Sequence, residues 1–240
     1  MCFNASLVQT AEIMGIEFNA YIDDNLIKPV YFSSAFSLPQ WPVLKDSSPD
    51  SFDLLKWGLI PSWVKNYESA RDLRYKTFNA RVETIHEKAS YRNASDNSRC
   101  AVAVDGWFEW KEVNGKKYPY YIYREDKKPF LLAGLWEKWS DRENDKIYET
   151  FSVVTTTALG ICAQIHNTKE RMPVILSKEG RELWLDKDLN YSRIKDNIKP
   201  AWKELTAHPV SNLISSKNRE KNVPEIMERV AGPPEQLEMF

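Results

Sequence analysis

The sequence predicts an α+β fold in which mostly antiparallel strands form a partly closed barrel-like core with a few peripheral helices. Three observations predict it. Short apolar or alternating runs recur along much of the chain, Asn114-Gly115 marks a tight hairpin between two of them, and few stretches carry helical apolar spacing. Residues 36–51, rich in Pro, Ser and Asp, read as loop. Ser51 to Ile60 alternates as a strand stopped by Pro61. Asn79 to Arg92 reads as a loop feeding a short helix, opened at Thr84-Ile85-His86 and followed by Ala94-Ser95. Cys100 to Val104 is apolar enough for a buried strand, and Trp107 to Glu112 and Tyr118 to Tyr123 form the arms of the hairpin. Phe130 to Trp136, Glu149 to Thr155 and Met172 to Leu176 are further strands, and Ser177 caps a helix reaching Leu185. A polar tail from about residue 216 hugs the surface or frays. Without a repeat or linker, residues 1–240 form a single domain.

The charge balance is near neutral, 33 basic against 34 acidic residues, so any nucleic-acid contact needs a local basic patch. Cys2, Cys100 and Cys162 lie far apart with no CxxC pair, which argues against a zinc site or a disulfide framework and fits a reducing compartment. The N-terminus lacks a signal-peptide pattern, and no apolar run approaches the ~18 residues of a membrane span. The expectation is a cytoplasmic monomer without membrane contact, metal or other cofactor.

Cys2 is the residue with the most chemistry. Removal of Met1 would leave an α-amine and a thiol on neighbouring carbons, a 1,2-aminothiol that condenses with an aldehyde to a thiazolidine. The plain alternative is a small buried hydrophobe. Trp57, Pro61 and Trp63 flank a stiff strand end, suited either to wedge between bases or to fill the core. Asn79 and Arg81, two apart in an extended segment, share a face: Asn can orient a reacting group and Arg can grip a phosphate, or they form a turn and a surface ion pair. Glu109, between Phe108 and Trp110 but opposite them on the strand, is either a general acid in a cramped site or a solvated carboxylate. His166 follows apolar Ile165 and opens a polar loop, a position for proton transfer or for a structural histidine. His86 and His208 read as structural.

In order, Met1-Cys2, Trp57-Gly58-Leu59-Ile60-Pro61, Asn79-Ala80-Arg81, Gly106-Trp107-Phe108-Glu109-Trp110, Ile165-His166 and Arg171-Met172-Pro173 resemble the SOS-response-associated peptidase (SRAP) family from residue 2 to about residue 215. The resemblance implies a sensor and shield of abasic sites in single-stranded DNA. It implies autoproteolytic loss of Met1 and a thiazolidine crosslink from Cys2 to the ring-opened sugar, reached through lyase-like Schiff-base chemistry. It assigns positioning to Asn79, acid catalysis to Glu109, proton transfer to His166, DNA contacts to Arg81, Lys169 and Arg171, and the DNA channel to Trp57, Pro61 and Trp63. It also implies association with the nucleoid when DNA is bound. The chain departs from the family pattern at Phe3-Asn4, where Gly-Arg is common, and in the four residues between His166 and Arg171. Competing readings are an N-terminal-nucleophile amidohydrolase, a peptidase acting on other proteins, and a non-catalytic single-strand binder.

Overall fold

A computed structural model describes residues 2–216 and 218–233. The strands are β1 (Asn4–Leu7), β2 (Val30–Ser34), β3 (Gln40–Lys45), β4 (Ser48–Trp57), β5 (Asn79–Arg81), β6 (Arg99–Val104), β7 (Gly106–Val113), β8 (Lys116–Arg124), β9 (Phe130–Asp141), β10 (Lys146–Thr157), β11 (Arg171–Pro173), β12 (Ile175–Leu176) and β13 (Leu205–Pro209). The helices are α1 (Ala11–Phe18), α2 (Tyr67–Arg74), α3 (Arg92–Asn97), α4 (Gly160–Ile165), α5 (Lys178–Leu185) and α6 (Tyr191–Ile194). None is long and apolar enough to cross a membrane.

The α+β expectation holds, and the barrel closes in full. Strands β10, β4, β3, β6 and β9 pair in a ring, antiparallel at every seam except β10–β4, where Thr150 lies beside Lys56. A second sheet, ordered β13-β8-β7-β1-β2, flanks the barrel. A main apolar cluster joins the barrel to β1 and α5. A smaller one, with Phe108, Tyr121, Val210, Ile214 and Ile226, lies beneath the C-terminal segment.

Local differences from the sequence reading have physical causes. Residues 36–51 are not a loop: they hold β3, a turn at Asp46-Ser47 and the start of β4. Pro42 is tolerated in β3 because pairing to β6 begins only at Val43. Asn79 begins a strand, and the helix after it covers Arg92–Asn97, so Ala94 and Ser95 lie within the helix instead of after it. The Met172 to Leu176 run splits in two because it leaves β10 for β9. The described part of the C-terminal segment is tied down, with Ile226 fully buried and the Asn222 side-chain carbonyl accepting from the Tyr31 and Phe32 amides.

Gly106 can only be glycine, since a Cβ there would meet the Ile122 carbonyl oxygen at 2.4 Å and the Tyr121 ring at 2.6 Å. Arg99 is the main polar tie of the interior. Fully buried, it donates to the carbonyls of Ser95 (2.9 Å), Trp184 (2.6 Å), Asp186 (2.5 Å) and Leu189 (2.6 Å), joining α3, α5 and the loop before α6 to the barrel. An Arg99→Met substitution strands these acceptors. Each unmet buried partner costs about 1–3 kcal/mol, so the variant is expected to lose at least about 3 kcal/mol in urea unfolding. A loss below about 1 kcal/mol would show that the carbonyls find water instead.

Candidate active site

Cys2 stands just ahead of β1 and is fully buried. Strand β1 is held between β2 and β7, with Ala5 opposite Trp107 and Ser6 opposite Gly106; continuing that register sets Phe3 beside Glu109. The Ala35 amide donates to the Phe3 carbonyl at 2.7 Å. At the far end the Asp105 amide donates to the Ser6 carbonyl at 2.9 Å, and the Asp105 carboxylate accepts from the Val8 amide.

Asn79 reaches the site because β5 pairs parallel to β10, Asn79 beside Val153. Its Nδ2 donates to the Cys2 carbonyl at 2.9 Å, and Tyr91 Oη donates to its backbone carbonyl at 3.0 Å. Its Oδ1 is buried with no hydrogen-bond partner among the described residues. An orphaned buried acceptor is costly, so this one stands ready to receive an N–H.

Glu109 and His166 meet directly. Glu109, 7% exposed, points away from the side of β7 that buries Phe108, which removes the solvated-carboxylate reading. Its Oε2 is 3.3 Å from His166 Nδ1, and the same nitrogen is 2.8 Å from the Arg171 carbonyl. A carbonyl only accepts, so Nδ1 carries the proton and Nε2 is the basic nitrogen of the neutral ring. Burial lowers the His166 pKa, which keeps the ring neutral at pH 7. Burial pushes the Cys2 thiol up to about 12, with a further push from the Glu109 charge. Cys2 therefore rests as a thiol.

A cleft of about 280 Å³ opens on the Glu109–His166 pair, lined also by Phe3, Trp110, Lys117 and Lys169, among others; Cys2 and Asn79 are not among its lining residues. Larger cavities of 720 and 750 Å³ lie elsewhere and contain none of the four residues Cys2, Asn79, Glu109 and His166. Arg81 is exposed and has no ion-pair partner among the described residues. Arg171 is engaged: it forms a two-pronged pair with Glu83 at 2.8 and 2.9 Å and donates to the Thr155 carbonyl at 2.7 Å. Partial burial pushes Glu83 up, but Arg171 outweighs it and holds the carboxyl below its usual range. Trp63 is 56% exposed, with its indole N–H on the Ala89 carbonyl; Pro61 is buried.

Trp57 is a core residue in this structure. It is 1% exposed, donates to the Phe78 carbonyl at 3.0 Å and stacks on Phe151, so no base can reach its face. Lys117 is a cleft residue that sequence reasoning missed. The Asn114-Gly115 hairpin sets it opposite Glu112, a pairing readable in advance, but which end of the hairpin faces Cys2 was not. Phe3 packs on Phe36 (5.4 Å between rings) and Phe78 (6.2 Å), forming one wall of the cleft.

A buried thiol at the chain's second residue, with its carbonyl held by Asn79 and with the Glu109–His166 pair nearby, brings together the groups that a thiol-based site would use. The chain belongs to the SOS response associated peptidase (SRAP) family, whose sequence profile matches residues 1–217. Among its relatives, Abasic site processing protein YoqW of Bacillus subtilis is 33% identical over 95% of this chain and 99% of its own length. Abasic site processing protein HMCES of Xenopus tropicalis is 32% identical over 76% of this chain and 58% of its own. A crystal structure of a protein from Bacteroides thetaiotaomicron, 34% identical, superposes with a TM-score of 0.88 over 96% of this chain and 100% of that one.

At pH 8, a thiol with a pKa of about 12 is only about 10⁻⁴ thiolate, against about a quarter for an unperturbed cysteine. All three cysteines are buried. Their reaction with an aromatic disulfide reagent is expected to run at least about tenfold slower in the native protein than after unfolding. One fast thiol in the native state would contradict the burial of Cys2.

Proposed function

We propose that this protein processes abasic sites in single-stranded DNA by linking itself to them through Cys2. The observation that carries the reading is the Asn79–Cys2 bond: the second residue of the chain is fixed by its carbonyl beside the Glu109–His166 pair. The names of its relatives supply the substrate class.

The chemistry starts with hydrolysis of the Met1–Cys2 peptide bond, which frees the Cys2 α-amine; Met1 itself lies outside the described residues. An abasic deoxyribose is mostly a closed hemiacetal. Glu109, after taking up a proton from solvent, passes it to the ring oxygen while a base takes the C1′ hydroxyl proton, and the ring opens to an aldehyde. The amine adds to C1′ and water leaves, giving an imine. The Cys2 sulfur then bonds to the imine carbon and its proton passes to the nitrogen. One water is lost overall and no oxidant is needed. Ring closure removes the imine that would otherwise allow β-elimination and strand breakage. His166 Nε2 relays protons, and Asn79 Oδ1 accepts from the freed amine and orients it. Arg81, Lys117 and Lys169 hold backbone phosphates. Pro61 and Trp63 shape the channel, and Arg171 serves through Glu83 and His166.

Intact-mass analysis after incubation with a single-stranded oligonucleotide carrying one abasic site tests the reading. A denaturation-stable adduct on a chain lacking Met1 is expected, absent with undamaged DNA and with Cys2→Ala. Glu109→Gln is expected to slow adduct formation by about 10²–10⁴-fold, the usual worth of a positioned acid. An equal yield from Cys2→Ala rules the mechanism out, and turnover of small amides without DNA would favour the amidohydrolase. Noncovalent binding should weaken with salt, each phosphate contact adding about −0.7 to the log–log slope on a single strand.

The freed amine gives the reaction its own pH dependence. With an α-amine pKa of ~7.7–8.0, the nucleophilic form falls about tenfold per pH unit below that range. Where imine formation limits the rate, adduct formation is expected to drop on this slope between pH 7 and pH 6. A rate that rises over that interval would place the slow step at acid-catalysed ring opening.

A further inference from the structure

One of the larger cavities, of 720 Å³, borders the cleft on the Glu109–His166 pair: the two share Glu112 as a common wall. Lys111, Tyr120 and Arg229 line it, and the chemistry of the lesion itself does not use it. We propose that this cavity is a second backbone subsite for the single strand, in which Lys111 and Arg229 take phosphates flanking the abasic nucleotide on one side. The subsite rests on the abasic-site reading and deepens it by giving the strand a path out of the cleft.

Charge favours a polyanion here. The chain carries a formal net charge of −1, so a positive region must be built locally. Much of its basic charge is already matched: Lys45 pairs with Asp53 and Glu149, Arg124 with Glu17, Asp126 and Glu204, and Arg171 with Glu83. Lys111 and Arg229 form no side-chain ion pair among the described residues, and neither do Lys117 and Lys169 in the adjoining cleft. Against these four cations stand Glu112, on the shared wall, and buried Glu109. Unpaired cations spaced along a trough suit a chain of phosphates better than a single small anion.

Strand β7 sets the spacing. Glu109 and Lys111 are two residues apart on it, so they share a face about 7 Å apart along the strand. A phosphate on Lys111 therefore lies within a few nucleotides of a sugar at Glu109, at about 3.4 Å for each step of a stacked strand. Tyr120 is the β8 neighbour of Glu109, and Pro209 of β13 is in turn the neighbour of Tyr120. The C-terminal segment is fixed at that edge, with Arg229 bridged to Val210 and the Val230 amide donating to the Pro209 carbonyl at 3.0 Å. Arg229 is thus held in the wall by backbone ties while its side chain stays exposed.

The loop after His166 joins the two spaces. Asn167 lines the second cavity, whereas Thr168 and Lys169 line the cleft. The Asn167 side chain accepts from the Glu112 amide at 3.0 Å and donates to the Glu112 carbonyl at 2.8 Å. These residues belong to the four that separate His166 from Arg171 and set this chain apart from the family pattern. They build a sill against β7, and the strand crosses it on leaving the Glu109–His166 pair.

Noncovalent binding tests the subsite. The Cys2→Ala chain is titrated by anisotropy with fluorescein-labelled single strands carrying a tetrahydrofuran abasic analogue, which has no aldehyde to link. The strands have about two nucleotides on each side of the analogue, or about six on the 5′ side only, or about six on the 3′ side only. Lengthening one of the two flanks is expected to tighten binding at least about tenfold. Lys111→Ala with Arg229→Ala should lose that gain and make the log–log salt slope shallower by about 1.4, two contacts at about 0.7 each. Neither side chain leaves an ion-pair partner stranded on removal, and Lys138→Ala with Lys146→Ala, on the wall of the 750 Å³ cavity, removes the same charge as a control. The control pair should keep both the gain and the slope. The proposal is overturned if neither flank adds affinity, if the Lys111 and Arg229 double variant binds the lengthened strands as tightly as its parent, or if the control pair loses as much. The abasic-site reading fails on a different readout, the absence of an adduct between the wild-type chain and a true abasic strand.

Discussion

A chain terminus is ordinarily the least ordered part of a domain, and in the reaction we propose this one holds the nucleophile. The site depends on the clamping of β1, a strand of only four residues. It is paired on both edges, and its ends are tied by Ala35 to the Phe3 carbonyl and by Asp105 to Ser6 and Val8. Gly106 lets β7 approach β8 so closely that a methyl group would not fit. The Asn79 side chain then closes on the Cys2 carbonyl. A misplacement of about 1 Å at a reacting atom can cost about 10²-fold in rate, and these ties would guard against it in the proposed reaction.

A second constraint runs through β10. On one edge it pairs with β9 and then β11; on the other it pairs with β4 and then β5. The parallel pairing to β5 delivers Asn79. The pairing to β11 fixes Arg171, whose carbonyl holds His166 Nδ1 and whose guanidinium is tied to Glu83 and Thr155. One strand thus carries, through β5, the amide that holds the Cys2 carbonyl and, through β11, the carbonyl that holds the imidazole. In this arrangement the Arg171 guanidinium is paired with Glu83 while its carbonyl fixes the orientation and tautomer of His166.

Much of this was legible in the sequence, for identifiable reasons. Cys100 to Val104 and the arms around Asn114-Gly115 announce themselves because local chemistry and final structure agree there. Asn114 and Gly115 both have positive φ, as the tight turn requires. Residues 36–51 read locally as loop because Pro and Ser signal loops unless tertiary pairing spares the missing N–H, and that pairing is invisible locally. Trp57 shows the same limit from the other side: an aromatic beside a Gly-Pro strand end suits a DNA wedge and a core equally, and burial against Phe151 decides for the core. Cys2, Asn79, Glu109 and His166 could be named as candidates by residue type. Their meeting could not, because it depends on a parallel strand pairing between residues more than 70 positions apart.

In the crosslinking reaction we propose, the state of the thiol imposes an order on the chemistry. With Cys2 held near a pKa of about 12, a thiolate-first attack would begin from a species populated at about 10⁻⁵ at pH 7. The freed amine, with a pKa of ~7.7–8.0, offers a neutral nucleophile at roughly a tenth of its molecules under the same conditions. In the proposed crosslinking reaction the amine is therefore the better placed of the two to attack first. Once the imine has formed, its carbon is a strong electrophile a few bonds from the sulfur, and its nitrogen is a base that can take the thiol proton as the carbon–sulfur bond forms. Sulfur is then activated by the intermediate it traps. Burial, which looks unfavourable for a nucleophile, keeps the thiol from off-pathway oxidation and alkylation until that intermediate is present.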